Sequence, residues 1–471
     1  MQHSDTERMA RQSETAGTHR SLTVGLCAGY FLVLLDVTVV NVALPRLGVE
    51  LHAGSGLAWV VDAYTVPLAA LLLAAGAVGD RLGHRRLVLI GLAGFGIASI
   101  GCALSPTIAV LIAGRALQGV AAALMLPGTL AMLSESAVTE QARARVIGLW
   151  AAVGGAALPA GPVVGGLLVQ AVGWRAVFWL GVPVIVAALA AVLASAPRTG
   201  RTADAVAHGR HERGVDWAGA ALLVVSLGCA VTAIIQGHSS TVLGGVMVAV
   251  AVCAAFALWL VERRTPQPLL RVPSAARRPL AVACGIAAVM NLCCQGTLFV
   301  LTQVFQVVHG LGPLAAGMVM LPAMVPMPLL GTASGRLTSR FGPWRTSASG
   351  LLVAVAGFLG MALSLDGPNY PVLLGSLVVW GGGIGVLAPG IVTAGMRVVP
   401  GSPGAASGAG NTSRQAGGAM GVALFGAVAG PPAGSSFAHQ VGILMWVCAT
   451  VFLLAAVVCF LPADPPGERQ A

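Results

Sequence analysis

Residues 148–166 read GLWAAVGGAALPAGPVVGG and lie inside an apolar run long enough to cross a membrane as a helix. Six glycines and two prolines fall in this stretch, although glycine adds backbone freedom to a helix and proline removes a hydrogen-bond donor. A membrane helix tolerates such residues where neighbouring helices approach closely or where a cavity is lined. The stretch therefore predicts a bent helix with a functional purpose, and close packing through glycine is the alternative interpretation.

The whole chain has the composition of a membrane protein. Of its 471 residues, 57% are hydrophobic and 9% are charged, whereas charged residues make up about a quarter of soluble domains. About fourteen apolar runs of about 20 residues predict an all-α protein with many passes through the cell membrane. All 26 basic residues are arginine, and a P-loop requires lysine. The chain is therefore not expected to hydrolyse ATP itself, so an ion gradient, a partner or the solute gradient must supply energy.

The arginines predict the topology. Most of them lie in short segments on alternate sides of the apolar runs, as the positive-inside rule requires, so the net charge of +10 does not indicate nucleic-acid binding. Both termini and the polar stretch 197–214 are therefore predicted to be cytoplasmic. The predicted units are a cytoplasmic tail (1–20), an N-terminal six-helix bundle (21–200), a linker with two inserted helices (201–279), and a C-terminal six-helix bundle with a short tail (280–471).

An internal repeat supports two related halves. The sequence GAVGDRLGHRR at 76–86 aligns with GRLTSRFGPWR at 335–345, and Pro-Gly pairs follow at nearly the same offset in both halves. Parallel repeats of this kind relate the halves of transporters that rock around a central site.

Several motifs occur in the order typical of one family. Residues 76–86 resemble the motif between the second and third helices of the major facilitator superfamily, and RALQG at 115–119 resembles its fourth-helix motif. LDVTVVNVALP at 35–45 and WVVDAY at 59–64 are similar to motifs of the fourteen-helix drug/proton antiporter branch. The resemblance covers nearly the whole chain. It implies the major facilitator fold, with two six-helix bundles and two extra helices inserted between them.

The opening stretch resembles the fifth-helix antiporter motif of the same family. Five of its residues match, and Ala157 stands in place of a glycine. The matching residues are Gly148, Gly161, Pro162, Gly165 and Gly166. This motif implies exchange of a solute for an ion.

Two acids and one arginine lie inside apolar helices, where ionisable residues are costly and usually functional. Burial favours the neutral form of a carboxylic acid, so Asp36 and Asp62 are candidates to take up and release a proton. Arg115 keeps its charge and can only favour deprotonation of a nearby acid. The alternative is a fixed structural ion pair with Arg115. We favour Asp36 as the carrier, because Asp62 is placed nearer the outer surface.

A basic turn joins the second and third helices. The resemblance implies that Asp80, with Arg81, Gly83 and Arg86, contacts the second half and gates the cytoplasmic side. An ordinary solvated turn is the alternative.

The second half has no acid in its membrane spans. It offers uncharged polar residues on one helical stripe, Asn291, Gln295, Thr302 and Gln306, together with polar residues near a later helix start. Such residues suit a bulky, mostly apolar solute, and polar contacts between helices are the alternative. The residues that we assign to the substrate cavity are Asn41, Gln118, Asn291, Gln295, Thr302, Asn411 and Arg414.

The sequence thus favours a proton-driven antiporter that exports a small lipophilic antibiotic or drug by alternating access. Its expected partners are that compound, protons and the lipid bilayer; we expect a functional monomer without enzymatic activity, nucleic acid, metal or another cofactor. The alternatives are a proton-coupled metabolite importer and a membrane sensor that does not transport.

Overall fold

The computed structural model describes residues 2–54, 56–136, 139–194, 217–237, 240–264, 273–365, 369–399 and 403–460. These residues form fifteen α-helices and one π-helical segment, and they contain no β-strand. The polar stretch 197–214, for which we predict a cytoplasmic position, lies outside the described residues.

Six helices make up the first part of the chain. α1 begins within the segment assigned to the tail, and its candidate membrane span is Ser21–Glu50. The helices are α1 (Gln2–Glu50), α2 (Gly56–Leu82), α3 (His84–Ala103), α4 (Ile108–Ser136), α5 (Glu140–Ala171) and α6 (Arg175–Ala194).

Nine further α-helices follow. They are α7 (Trp217–Gln236), α8 (Thr241–Arg264), α9 (Ser274–Gln303), α10 (Pro313–Met324), α11 (Pro326–Phe341), α12 (Pro343–Ser364), α13 (Tyr370–Val398), α14 (Pro403–Ala429) and α15 (Phe437–Val458). The π-helical segment, Val304–Val308, directly continues α9.

Twelve segments of the described chain are long and apolar enough to cross a membrane. The sequence predicts about fourteen such runs, and the two helices that are not among the twelve are α2 and α14. α2 stays apolar in sequence after Leu72, but its next side chain lies outside the described residues, whereas α14 begins with a polar, glycine-rich stretch. Both are nevertheless continuous helices of 27 residues.

The two halves share a turn and a packing contact. Gly83 between α2 and α3 has φ 92°, and its counterpart Gly342 between α11 and α12 has φ 83°. Both values lie in the left-handed region that favours glycine. Gly91 and Gly350 lie eight residues further on, where a Cβ would be 2.8 Å from the Ala121 carbonyl oxygen and 2.6 Å from the Leu387 nitrogen, respectively. The sequence repeat thus corresponds to a structural repeat.

The first six helices meet the later ones mainly where α5 packs against α10 and α2 packs against α14. A Cβ on Gly166 would lie 2.6 Å from Cα of Leu314, and one on Gly317 would overlap the backbone of Pro162. Glycine therefore permits the backbones of α5 and α10 to touch. We call these four residues the glycine seam.

Candidate functional site

A buried ion pair joins α1 to α4. Nη1 of Arg115 donates a hydrogen bond of 2.5 Å to Oδ2 of Asp36, and the two side chains are 1% and 7% exposed. This contact gives Arg115 a partner, which its position in the sequence did not reveal. The proton-coupling hypothesis depends on Asp36 and Arg115, and the contact brings these two groups together. A fixed structural ion pair, the alternative interpretation, would have the same geometry.

The remaining contacts of Arg115 hold its guanidinium in place. Its Nε donates to the Val60 carbonyl oxygen of α2 at 3.0 Å, and Nη1 also donates to Oε1 of Gln118 at 2.9 Å. The guanidinium carbon lies 4.4 Å from the centroid of the Tyr64 ring. Gln118 in turn donates to the Ser99 hydroxyl at 2.8 Å. Gln118, assigned to the substrate cavity from sequence, is thus a fully buried partner of the ion pair.

Asp36 also borders a small cavity between α1, α3 and α6. Ser99 and Phe178 are among its other lining residues. The cavity has room for about one water molecule. A water there would have the Asp36 carboxyl group and the Ser99 hydroxyl along its walls.

Asp62 has no partner of this kind. It lies six residues from the start of α2, which is about 9 Å along a helix, yet none of it is exposed. We expected Asp62 to be the less deeply placed acid, yet it is no more exposed than Asp36, because neighbouring helices cover it completely. Its two carboxyl oxygens accept no hydrogen bond within the described chain, and the Thr65 hydroxyl donates instead to the carbonyl oxygens of Val61 and Asp62. An unpaired buried carboxylate is costly, so these surroundings suit a neutral acid.

The fifth-helix motif divides into two parts. A Cβ on Gly161 would overlap the Thr38 side chain of α1, and one on Gly165 would lie 3.1 Å from the Val39 carbonyl oxygen. Pro162 and Gly166 belong to the glycine seam. A Cβ on Gly148, in contrast, would meet no atom within 4 Å. Four of the five motif residues therefore lie at close helix contacts.

Four of the predicted cavity residues come together at α9 and α14. Nδ2 of Asn291 donates to the Arg414 carbonyl oxygen at 2.8 Å, and Nη2 of Arg414 donates to Oδ1 of Asn411 at 2.7 Å. The Gln295 side chain is adjacent, because a Cβ on Gly418 would lie 3.2 Å from its Cγ.

Other polar residues assigned from sequence lie apart from this group. The buried Thr302 hydroxyl donates to the Leu298 carbonyl oxygen of its own helix at 2.9 Å. Gln306, in the π-helical segment, donates to the Val42 carbonyl oxygen of α1 at 2.9 Å. Asn41 is buried, and its Oδ1 has no hydrogen-bond partner among the described residues. At the C-terminal end of the polar stripe, Gln306 therefore contributes to a contact between helices.

The turn between α2 and α3 is described in part. The side chain of Asp80 lies outside the described part of the chain, whereas Arg81 and Arg86 are exposed. Arg85, which we did not single out from sequence, donates to the Val192 carbonyl oxygen of α6 at 3.1 Å. The gating contact of Asp80 stays a prediction.

Two related helical halves, with ionisable groups buried between apolar helices, define a membrane transporter as the class of protein. The sequence profile of the Major Facilitator Superfamily matches residues 26–422, and the chain belongs to this family.

Its relatives are resistance and export proteins. The chain is 34% identical over 425 residues to the tetracenomycin C resistance and export protein of Streptomyces glaucescens, covering 88% of this chain and 76% of that protein. It is 31% identical over 468 residues to the methylenomycin A resistance protein of Streptomyces coelicolor, covering 97% and 96%. The solved structure of a POT family transporter with a thioalcohol-conjugated peptide has a TM-score of 0.68 at 12% identity, covering 94% and 96%, and shows likeness of fold alone.

Proposed function

We propose that the protein is a proton-driven antiporter that exports a small lipophilic antibiotic or drug from the cell. The buried pair of Asp36 and Arg115 carries the proposal, because it supplies a titratable acid and a permanent charge inside a transporter. The names of the relatives support an antibiotic as the transported compound and export as the direction of transport. In this proposal α7 and α8 are the two extra helices, inserted between two six-helix bundles.

Proton coupling acts through the pair. While Asp36 is ionised, its attraction to Arg115 connects α1 to α4. The hydrogen bond from Arg115 to the Val60 carbonyl oxygen connects α4 to α2 as well. Protonation of Asp36 removes the charge attraction and so loosens the connection between α1 and α4. Drug binding and protonation then favour different conformations, and by linkage each weakens the other.

Alternating access acts through the contacts between halves. α1 and α5 run from the cytoplasm outward in the predicted topology, so the glycine seam closes the outer side. The turn that holds Asp80 lies at the opposite side, where it would close the cytoplasmic entrance when the seam opens. Exchange requires that only one of these closures is in place at a time.

A purely structural ion pair is the competing interpretation, and a double variant separates the two. Removing one partner of a buried pair leaves an uncompensated charge, whereas replacing both is often tolerated. If the pair only holds helices together, Asp36→Asn combined with Arg115→Gln should fold and export drug. If Asp36 carries the proton, this double variant should fold and reach the membrane, yet fail to export against a gradient.

A susceptibility panel tests the function itself. Cells of a drug-sensitive host that express the protein are grown with compounds from many antibiotic classes, with and without a protonophore. We expect resistance to at least one lipophilic compound, and loss of that resistance with the protonophore. Increased sensitivity to a compound would indicate import, and an unchanged panel would contradict transport of drugs.

A further inference from the structure

Protonation of Asp36 changes what this side chain needs from its surroundings. Within the described chain, its hydrogen-bond partner is Nη1 of Arg115, at 2.5 Å. A guanidinium can only donate hydrogen bonds, so it suits the ionised carboxylate. A protonated carboxyl group is itself a donor and requires an acceptor, and a buried donor without one is costly. A carrier at this position therefore needs a second partner that can accept.

The small cavity between α1, α3 and α6 offers a place for such a partner. Asp36 and Ser99 supply its polar side chains, whereas other residues around it, such as Phe95 and Phe178, are apolar. A cavity of this size holds about one water molecule, and a buried water requires at least two polar partners. Asp36 and Ser99 are two such partners on the walls of one cavity.

The Ser99 hydroxyl has one acceptor position left. Among the hydrogen bonds of the described chain, it donates to the Phe95 carbonyl oxygen at 2.7 Å and accepts from Nε2 of Gln118 at 2.8 Å. A hydroxyl has one donor and two acceptor positions, so one lone pair can still accept from a water. Ser99 is only 1% exposed, and this lone pair is therefore shielded from bulk solvent.

Ser99 is also connected to the ion pair through Gln118. Oε1 of Gln118 accepts from Nη1 of Arg115 at 2.9 Å, and the same Nη1 donates to Asp36. A water between Asp36 and Ser99 would close this chain into a ring of hydrogen bonds. Groups in a closed network fix one another's orientation, so the ring would hold the Ser99 hydroxyl ready for the water.

We propose that the cavity binds one water molecule, which Ser99 positions as the second partner of Asp36. While Asp36 is ionised, the water donates one hydrogen to the carboxylate and the other to Ser99. When Asp36 is protonated, its hydroxyl donates to the water oxygen, and the water still donates to Ser99. The water turns within the cavity, and the carboxyl group changes charge without losing its partner. The role in both protonation states rests on the proposed function, whereas the water site does not.

The other titratable groups near Asp36 do not take this role. Tyr64 of α2 packs its ring against the Arg115 guanidinium and donates its hydroxyl to the Val33 carbonyl oxygen at 3.2 Å. The Cys102 thiol of α3 donates to Oε1 of Gln118 at 3.4 Å. The α6 residues that line the cavity are apolar. A water is thus the group that can both donate to Asp36 and accept from it.

Gly181 of α6 allows the water to be displaced. A Cβ there would lie 3.3 Å from Cδ2 of Leu32 and 3.8 Å from Oγ of Ser99, and both residues line the cavity. Gly181→Ala therefore places a methyl group in the cavity. Gly96→Ala is the matched control at the contact of the same two helices, α3 and α6. Its Cβ would lie 3.1 Å from Cγ2 of Ile185, which does not line the cavity.

X-ray hydroxyl-radical footprinting of the purified full-length protein tests for the water. Radicals formed from a bound water modify the side chains beside it, and mass spectrometry locates the modification. We expect modification of Phe95 and Phe178, although both are buried, and none of Phe358, a buried ring of the second half. Gly181→Ala should abolish the modification of Phe95 and Phe178, and Gly96→Ala should leave it unchanged.

Infrared difference spectra after a pH jump test the role of the water. The carboxyl band that Asp36→Asn removes belongs to protonated Asp36, and a band that shifts in ¹⁸O-labelled water belongs to the water. We expect both bands in the unchanged protein and in Gly96→Ala. In Gly181→Ala and Ser99→Ala the water band should be lost, and the carboxyl band should move to higher wavenumber because its hydrogen bond is lost.

Two results would overturn the inference. One is that Phe95 and Phe178 are as unreactive as Phe358 in the unchanged protein, and the other is that Gly181→Ala changes neither measurement. Protonophore-sensitive resistance together with either result would leave the proposed export standing. Footprints that Gly181→Ala abolishes, without any carboxyl band from Asp36, would support the water site and refute both its proposed role and Asp36 as the proton carrier.

Discussion

Replacing Gly166 by alanine should open the contact between α5 and α10. The added Cβ would lie 2.6 Å from Cα of Leu314 and 2.7 Å from the Pro313 carbonyl oxygen. Both are backbone atoms, which cannot rotate away as a side chain can. The clash exists only while the glycine seam is closed, so the substitution should disfavour that conformation.

The size of the effect follows from the cost of overpacking. An extra methyl group in a well-packed contact costs about 1–3 kcal/mol. This cost would shift the equilibrium constant between the conformations with a closed and an open glycine seam by about five- to 150-fold toward the open one. Hydrogen–deuterium exchange of the purified protein measures the shift directly. Peptides from the end of α5 and the start of α10 should exchange faster in Gly166→Ala.

Gly148→Ala is the matched control in the same helix and motif. A Cβ on Gly148 meets no atom within 4 Å, so exchange at the seam should equal that of the unchanged protein. The reasoning is refuted if Gly166→Ala exchanges like the unchanged protein, or if Gly148→Ala exchanges as fast as Gly166→Ala.

Three further predictions concern other parts of the fold. Pro162→Leu should reach the membrane but abolish export, because it removes the proline to which we attribute the expected bend and adds bulk where Gly317 approaches α5. Normal export in resistance assays would indicate that the motif serves only helix packing. Gly83→Ala should destabilise the protein by about 1–2 kcal/mol because its φ is positive, as a lower thermal unfolding temperature would show, and Gly342→Ala should do the same; equal unfolding temperatures would contradict this. Reporter fusions after Thr199 and at the C-terminus should give cytoplasmic signals, and an external signal at either place would overturn the topology.

The family and the all-helical class followed from sequence because motif order and apolar length are local properties of the chain. Asp36 and Arg115 were recognised because ionisable residues stand out in apolar helices. An ion pair with Arg115 was one alternative from sequence, but its partner could not be assigned, since 79 residues separate Arg115 from Asp36 and only the packing of α1 against α4 brings them together. The complete burial of Asp62 likewise depends on helices that are distant in sequence.

The contacts of the polar residues could not be predicted from the sequence either. A helical stripe indicates which residues share a face, but it does not indicate what that face meets. Asn291 reaches Arg414, whereas Gln306 on the same stripe bonds to α1. The stacking of the Tyr30 and Trp150 rings was not predictable either, because an aromatic residue in an apolar helix gives no sign in the sequence of which ring will pack on it.

The central claim is that Asp36 carries the proton that drives export. Inside-out membrane vesicles with a preformed pH gradient test it most directly, using a compound from the susceptibility panel and a fluorescent reporter of the gradient. Addition of the compound should partly collapse the gradient with the unchanged protein, less so with Asp62→Asn, and not at all with Asp36→Asn or its double variant with Arg115→Gln. A full response from Asp36→Asn would contradict the claim; loss of the response in Asp62→Asn alone would make Asp62 the carrier.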